Sequence, residues 1–176
     1  MRKGQQVGLT PLQAADAALL FEWINEREQV LLNSAYRPVH GASHEAWFAN
    51  VLGRSDIVIF GIRLLSEDRL IGTCQLHSIH PVHRSAELQI RIGDVAARGA
   101  GRGTEAVQLL LAFAFEDLNL ERVFLNVFAD NTAALRAYEK AGFVREGVLR
   151  QAAYVDGRYR DVAIMSVLRR DRVNRP

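Results

Sequence analysis

The sequence predicts a mixed α/β fold of the α+β type, with a central mixed sheet of about seven strands flanked by about four helices. Segments with strand patterns alternate with segments of helical periodicity in the order β-α-α-β-β-β-α-β-α-β-β. Because helices connect only some of the strands, the sheet should contain parallel and antiparallel pairs. The 176 residues include no repeat and no linker-like tract, so we expect a single domain over residues 1–176.

The first third of the chain predicts one short strand and two helices. Residues 7–9 form a short apolar run, and residues 14–25 place apolar side chains at helical spacing. Proline and glycine make residues 33–42 a loop. Ser43 then has the character of an N-cap for a helix that ends near Gly53.

The middle of the chain predicts three strands. β-Branched residues dominate residues 56–64, and after a polar turn residues 70–79 return as the second strand of a hairpin. Within residues 85–92 the even-numbered positions are apolar and the odd-numbered positions are polar. The two sets therefore face opposite sides of the sheet.

The second half of the chain alternates helices with strands. Its predicted elements are a helix, a strand, a helix and two strands, over residues 104–117, 122–128, 132–141, 143–154 and 159–168. Gly142 is positioned to end the second helix in a left-handed conformation. Asp156 and Gly157, between the last two strands, are a strong signal for a tight hairpin.

Charge and cysteine content exclude several classes of protein. The 22 basic and 20 acidic side chains leave a net charge of +2, which disfavours binding to nucleic acid or to an anionic membrane. Cys74 is the only cysteine and is expected in the core, so no disulfide forms within the chain. The apolar run over residues 106–115 is too short to span a bilayer, and we see no secretory signal. We expect a soluble cytoplasmic protein.

A glycine-rich junction between a predicted strand and a predicted helix is the first candidate for a functional site. Its residues are Arg98, Gly99, Ala100, Gly101, Arg102, Gly103 and Thr104. Glycines let backbone N–H groups approach an anion, and the first turn of the helix adds free N–H donors and partial positive charge. The two arginines can add charge-assisted bonds to phosphate. The junction lacks the lysine of a P-loop, and its third glycine comes too early for a dinucleotide fold.

The spacing Arg98-x-x-Gly101-x-Gly103 resembles the Arg/Gln-x-x-Gly-x-Gly/Ala signature of the GNAT acetyltransferase superfamily, whose loop holds the pyrophosphate of acetyl-CoA. The sequence departs from the family at Ala100, where Lys or Arg is more frequent.

A second stretch strengthens this resemblance. Asn131-x-x-Ala134-x-x-x-Tyr138-x-x-x-Gly142-Phe143 is similar to the second cofactor helix of the family. The resemblance covers residues 70–168 approximately. It is greatest to the branch that contains ribosomal-protein N-terminal, spermidine and amino-sugar acetyltransferases.

The resemblance implies a GNAT fold and direct transfer of an acetyl group from acetyl-CoA to a primary amine. It implies that acetyl-CoA is bound by Ile90, Ile92, Arg98, Gly99, Ala100, Gly101, Arg102, Gly103, Thr104, Asn131 and Ala134. Tyr138 would be the acid for the departing thiolate, and Glu87 a base that acts through water. A bulge near residues 90–92 would aim backbone N–H groups at the thioester carbonyl.

The acceptor is left open by the sequence. A polyamine would call for carboxylates, and the candidates are Glu22, Glu26, Glu28 and Glu45. A nucleotide-linked amino sugar would suit Tyr36, Arg37 and Trp47 equally well. We expect a small-molecule amine of one of these kinds. The alternatives are a protein N-terminus, such as that of a ribosomal protein, and a non-catalytic CoA-binding regulatory module.

Three further expectations complete the prediction. His77, His80 and His83 straddle Pro81 without an acidic or cysteine neighbour, so no metal site is expected. Residues 169–172 should form a solvated basic tail. Related enzymes often pair, and the C-terminal hairpin offers a sheet edge, so we expect a homodimer.

Overall fold

The computed structural model describes residues 2–173, which form eight strands and six α-helices. The strands are β1 (Arg2–Lys3), β2 (Val7–Thr10), β3 (Val58–Leu64), β4 (Leu70–His80), β5 (Ser85–Ile92), β6 (Arg122–Phe128), β7 (Val144–Val155) and β8 (Arg158–Leu168). The helices are α1 (Ala17–Asn25), α2 (Arg27–Val30), α3 (Gly41–Val51), α4 (Arg102–Glu116), α5 (Thr132–Ala141) and α6 (Arg169–Val173). Short 3₁₀ turns precede α1 and α4.

All eight strands belong to one mixed sheet in the order β1-β2-β3-β4-β5-β6-β8-β7. Within the described residues, β5 and β6 are the only parallel neighbours, and α4 is the crossover between them. The other neighbouring pairs are antiparallel. The prediction of a mixed α/β fold is therefore confirmed.

Helices cover the two faces of the sheet unequally. The apolar side of α4 supplies fully buried residues such as Leu110 and Leu111 to the main core. On the opposite face, a smaller cluster of Leu12, Leu20 and Leu70 packs near α1 and α3. The large core fixes α4 at the end of β5, whereas the small cluster leaves room beneath α1 and α3.

Two helix starts differ from the prediction. The first helix begins with a 3₁₀ turn at Ala14–Asp16 before α1. The predicted N-cap at Ser43 is wrong, because α3 begins two residues earlier, with extended His40 as its N-cap. The His44 N–H already donates to the His40 carbonyl at 3.0 Å, so Ser43 lies inside the first turn.

The structure has more elements than predicted because three of them are very short. β1, α2 and α6 span two, four and five residues, too few to show a periodic pattern. The prediction of a solvated tail at residues 169–172 is correct for the exposed Arg170 but wrong for Arg169, whose Nε donates to the Leu120 carbonyl at 2.9 Å. The other predicted boundaries agree within two residues.

Among the described residues, no helix has both the length and the apolarity that crossing a membrane requires.

Candidate active site

β5 and β6 separate midway along their length, and a cleft opens between them. They pair only over residues 85–87 of β5 and 122–124 of β6. The cleft is lined by Leu32, Asn33, Leu88, Gln89, Ile90, Asn126, Val127, Phe128 and Tyr138. The register of β5 against β4 is continuous from Glu87 to Ile92. The cleft therefore forms because the parallel pairing of β5 with β6 ends. No bulge in β5 at residues 90–92 is needed to open it.

Backbone groups of β5 face this cleft. The Gly93 N–H donates to the Ile71 carbonyl at 2.9 Å, towards β4. Because backbone direction alternates along a strand, the amides of Gln89 and Arg91 also face β4. The amides of Ile90 and Ile92 therefore face the cleft. These two residues need this orientation to bind acetyl-CoA as predicted.

The loop between β5 and α4 forms an open cradle of backbone N–H groups. Gly99 and Gly101 both have φ +80°, a conformation that favours glycine, and a Cβ at either would meet no atom within 4 Å. Gly101 is the N-cap of α4, and the first bond into this cap runs from Glu105 N to Gly101 O at 3.0 Å. Among the described residues, the N–H groups of residues 99–104 have no backbone acceptor. A pyrophosphate fits such a cradle.

The two loop arginines, Arg98 and Arg102, differ in their partners within the chain. Arg98 donates to the Ile92 carbonyl from Nε at 3.0 Å and from Nη2 at 2.7 Å, and Nη2 also reaches Gln29 Oε1 at 3.0 Å. Its guanidinium thus anchors the loop to the end of β5 and to α2. Arg102 Nε is buried without a hydrogen-bond partner. Gln29 is a residue that sequence reasoning missed.

The glycine loop is also fixed to the N-terminal hairpin. Glu105 accepts from the Gln6 N–H at 3.1 Å, and the Gln6 side chain donates to the Ala100 carbonyl at 3.3 Å. Thr104 lies beside Glu105 in the first turn of α4. These bonds hold the loop open on the side where its N–H groups point.

Helix α5 brings Tyr138 to the cleft. Asn131 caps this helix, with its Oδ1 accepting from Ala134 N at 3.2 Å and its Nδ2 donating to the Leu32 carbonyl at 3.3 Å. Tyr138 is 8% exposed, lines the cleft and packs edge-on against Phe143. Burial raises the pKa of its phenol to about 12, so the hydroxyl is a proton donor at neutral pH.

Glu87 lies where β5 and β6 part. Its Oε1 accepts from Asn126 Nδ2 at 2.9 Å, and its Oε2 lies 4.0 Å from His77 Nε2. The carboxylate is one-quarter exposed, so water reaches it. Asn126 was missed by sequence reasoning, although it is a polar residue in an otherwise apolar stretch of β6.

A larger pocket lies on the face of the sheet that α1 and α3 cover, and we call it the α1–α3 pocket. It encloses about 490 Å³ and is lined by Leu20, Trp23, Ile24, Asn33, Ser34, Val39, Ser43, His44, Trp47, Ile59, Thr73, Gln75, Gln89, Ile90 and Arg91. Asn33, Gln89 and Ile90 also line the cleft. The two cavities therefore meet at β5.

The residues predicted for the acceptor are only partly found at this pocket. Trp47 lines it, whereas Tyr36 and Arg37 do not. None of the four predicted carboxylates lines it, namely Glu22, Glu26, Glu28 and Glu45. His80 and His83 stack on each other at a ring distance of 4.1 Å, and residues 2–173 hold no group of three or more side chains arranged to bind a metal ion.

Comparison with known proteins identifies the family. Residues 6–144 match the family described as acetyltransferase (GNAT) domain. The chain is 37% identical over 110 residues to a spermidine N(1)-acetyltransferase of Vibrio cholerae, an alignment that covers 62% of this chain and 63% of the relative. It is 34% identical to a probable N-acetyltransferase of Bacillus subtilis, YjcK, over 97% of this chain and 98% of that protein.

Further relatives support the same family. A putative ribosomal N-acetyltransferase of Bacillus subtilis, YdaF, is 28% identical over 95% of this chain and 93% of its own length. The crystal structure of spermidine N-acetyltransferase from Vibrio cholerae with CoA and spermine superposes with a TM-score of 0.88 at 28% identity, covering 96% of this chain and 99% of the other. Another structure of that protein is described as dodecameric. With its glycine cradle, splayed strands and cleft tyrosine, the chain belongs to the GNAT family of N-acetyltransferases, whose acetyl donor is acetyl-CoA.

Proposed function

We propose that the chain acetylates the primary amine of a small molecule that binds in the α1–α3 pocket. The observation that carries this proposal is the junction of two cavities at Asn33, Gln89 and Ile90. Donor and acceptor then approach from opposite sides of β5 and form a ternary complex. The amine meets the acetyl group beside Ile90, which lines both cavities.

The residues of the chain divide the chemistry among them. Bound acetyl-CoA supplies the thioester. The N–H groups of residues 99–104 bind the pyrophosphate, and the Ile90 N–H in the cleft donates to the thioester carbonyl, where negative charge develops. Tyr138 donates the proton that the leaving thiol needs, and Glu87 accepts the amine proton through water. Asn126 holds the Glu87 carboxylate in place.

Two other acceptors are favoured by the names of relatives. The spermidine acetyltransferases support a polyamine, and the putative ribosomal enzyme supports a protein N-terminus. The walls that α1 and α3 form around the α1–α3 pocket suit a small molecule better than a protein chain.

Thiol release from acetyl-CoA tests the proposal with a panel of polyamines, amino sugars, amino acids and N-terminal peptides. We expect turnover with at least one small amine, and an acetylated product with the mass of one added acetyl group. Turnover restricted to peptides or to a folded protein would contradict the proposal. Donor binding without thiol release for any amine would favour a non-catalytic CoA-binding module.

We also propose a homodimer formed through the edge strand β7. β7 is the last strand of the sheet and carries exposed apolar side chains, among them Val144, Val148 and Leu149. Such an edge is a site for pairing with a second copy. Light scattering at micromolar protein should give twice the chain mass, and a monomeric mass would contradict the proposal.

The cytoplasm is the compartment that we propose for this activity. Cys74 is a free thiol, which agrees with a reducing compartment. Burial raises its pKa, which keeps this thiol unreactive.

A further inference from the structure

The α1–α3 pocket contains one arginine without a counterion. Arg91 follows Glu87 and Gln89 on the polar face of β5 and is half-buried against the pocket. Burial lowers the pKa of its guanidinium, and the nearby charge of Arg98 lowers it further, with no anion acting in the other direction. Among the described residues it has no carboxylate or carbonyl partner.

Three other partly buried arginines have partners within the chain, whereas Arg102 Nε, in the glycine-rich loop, has none within residues 2–173. Arg63 lies 2.7 Å from Asp16 Oδ1, Arg160 pairs with Asp130, and Arg98 donates to the Ile92 carbonyl. Buried cations in proteins are normally neutralised or hydrogen-bonded, because an unpaired buried charge is costly. Arg91 has no such partner in the described part of the chain and lies at the wall of a cavity, where a ligand can supply the missing anion.

The rest of the pocket also favours an anionic ligand over a polycation. Its lining includes no aspartate or glutamate among the described residues. Thr73, Gln75 and Gln89 offer neutral polar groups on the floor, and Trp23 and Trp47 offer apolar walls. A polyamine would bring two or more ammonium groups next to Arg91 without a carboxylate to receive them.

The position of Arg91 places its positive charge close to the proposed site of reaction. Ile90 lines both cavities, so Arg91 directly follows the residue at which donor and acceptor meet. Its side chain shares a sheet face with Gln89, whose Cα is about 7 Å away along the strand. An acceptor can therefore place its amine at the cleft while an anionic group on the same small molecule reaches Arg91.

We propose that Arg91 is a specificity-determining residue that binds the anionic oxygens of the acceptor. This proposal rests on the proposed function and narrows its substrate class to primary amines that also carry a carboxylate or a phosphate. Arg, with its planar fork of donors, suits either group. A cationic polyamine is then a poor acceptor for this chain.

Matched pairs of acceptors test the proposal. Thiol release is measured for glycine against glycinamide, for glucosamine 6-phosphate against glucosamine, and for spermidine, with wild type and with Arg91→Gln. We expect kcat/KM to favour the anionic member of at least one pair by roughly 10-fold or more, the scale of a charge-assisted hydrogen bond. A preference within the glycine pair would identify a carboxylate as the anionic group, and a preference within the glucosamine pair would identify a phosphate.

Two variants separate the role of Arg91 from general effects of lost charge. Arg91→Gln should erase the preference while the affinity for acetyl-CoA and the melting temperature stay near wild type. Arg54→Gln removes an exposed arginine that pairs with Asp56 away from the pocket, and should leave the preference unchanged. Preference for spermidine or for the neutral members, or a preference that survives in Arg91→Gln, would overturn the proposal. So would loss of acetyl-CoA binding in Arg91→Gln, since Arg91 would then belong to the donor site.

A binding measurement keeps this test independent of turnover. Trp23 and Trp47 are the two tryptophans of the chain, and both line the α1–α3 pocket. Their fluorescence should respond to the anionic amines in wild type and not in Arg91→Gln. If the anionic amines bind in this way but no amine releases thiol, the proposed function fails and the role of Arg91 stands. Equal responses in the two proteins, or none in either, would overturn the role of Arg91.

Discussion

The proposed donor site and the proposed acceptor site of this chain are built in different ways. On the donor side, residues 99–104 present backbone N–H groups, and two glycines with φ +80° set their direction. On the acceptor side, side chains from α1, α3, β3, β4 and β5 converge on one pocket. The donor site is thus local in sequence, whereas the acceptor site exists only after the sheet has formed.

This difference determines how readily each of the two sites can change by substitution. A cradle of backbone groups tolerates few changes, because glycine is needed for its conformation. A pocket of side chains changes its specificity with single substitutions on scaffold elements that stay in place. A shared donor with divergent acceptors is the expected result within one family.

Replacing Tyr138 should give the largest effect on turnover. Tyr138→Phe removes the proton donor of the cleft and keeps the ring against Phe143, so kcat should fall by roughly 10²–10⁴. Steady-state kinetics and the melting temperature are measured on the same preparation. A destabilised protein with near-normal kcat would instead show that Tyr138 acts only in packing, and would leave the cleft without its acid.

The glycine cradle is tested by a matched pair of substitutions. Gly101→Glu places a carboxylate where the pyrophosphate binds, and should raise the Kd for acetyl-CoA by roughly 100-fold or more through lost charge-assisted bonds. Gly157→Glu is the control, since Gly157 has φ +78° and open space at its Cβ but lies in the β7–β8 turn. Both variants carry similar backbone strain, of about 1 kcal/mol. The increase in melting temperature with acetyl-CoA should disappear only in Gly101→Glu. Its persistence there would contradict the donor assignment.

Glu87 should show a smaller effect on catalysis. Glu87→Gln keeps an oxygen for Asn126 and removes the proton acceptor, so we expect kcat to fall by roughly 10–100-fold with donor affinity unchanged. His77→Gln is the neighbouring control and should retain most of the activity. Wild-type kcat in Glu87→Gln would remove Glu87 from the proton route.

The features that the sequence could predict follow the same division between local and tertiary structure. Gly99, Gly101 and the start of α4 were predictable because φ and helix ends depend on neighbouring residues. The partners of Arg98 were not, since Gln29 lies 69 positions away in the chain. Strand alternation placed Arg91 on the polar face of β5 but gave no information about the helices that cover this face.

Short elements and one helix N-cap are further features that sequence patterns did not predict. β1 and α2 are too short for a periodic pattern. Residue type predicts an N-cap at Ser43, since serine is a strong N-cap, whereas His40 occupies that position in the structure. The family resemblance predicts that Asn131 binds acetyl-CoA, and the structure adds that its side chain caps α5 and donates to the Leu32 carbonyl. Asn131 and Leu32 lie 99 positions apart in the chain, so no local pattern predicts their contact.

The smallest expected effect concerns stability far from both sites. The hydrogen bond from Arg122 lowers the pKa of Glu146 to about 2, below its usual value of about 4.3. This contribution to stability is therefore present above about pH 4.3 and is lost as the pH falls towards 2. Both side chains are about one-third exposed, so it should stay below about 1 kcal/mol.

Glu146→Gln checks this ion pair by thermal unfolding. Its melting temperature should lie slightly below that of wild type at pH 6, by at most about 3 °C, and the difference should vanish near pH 2. A difference that stays constant over this pH range would contradict the ion-pair explanation.

The most direct test of two separately built sites is a two-step NMR titration of the amide and indole N–H signals. Acetyl-CoA should shift the amide signals of Gly99, Gly101, Gly103 and Ile90, and leave the indole signals of Trp23 and Trp47 nearly unchanged. A subsequent acceptor amine should shift the two indoles and leave the loop glycines nearly unchanged. Donor-induced shifts confined to the indoles, with loop glycines that do not respond, would contradict the account.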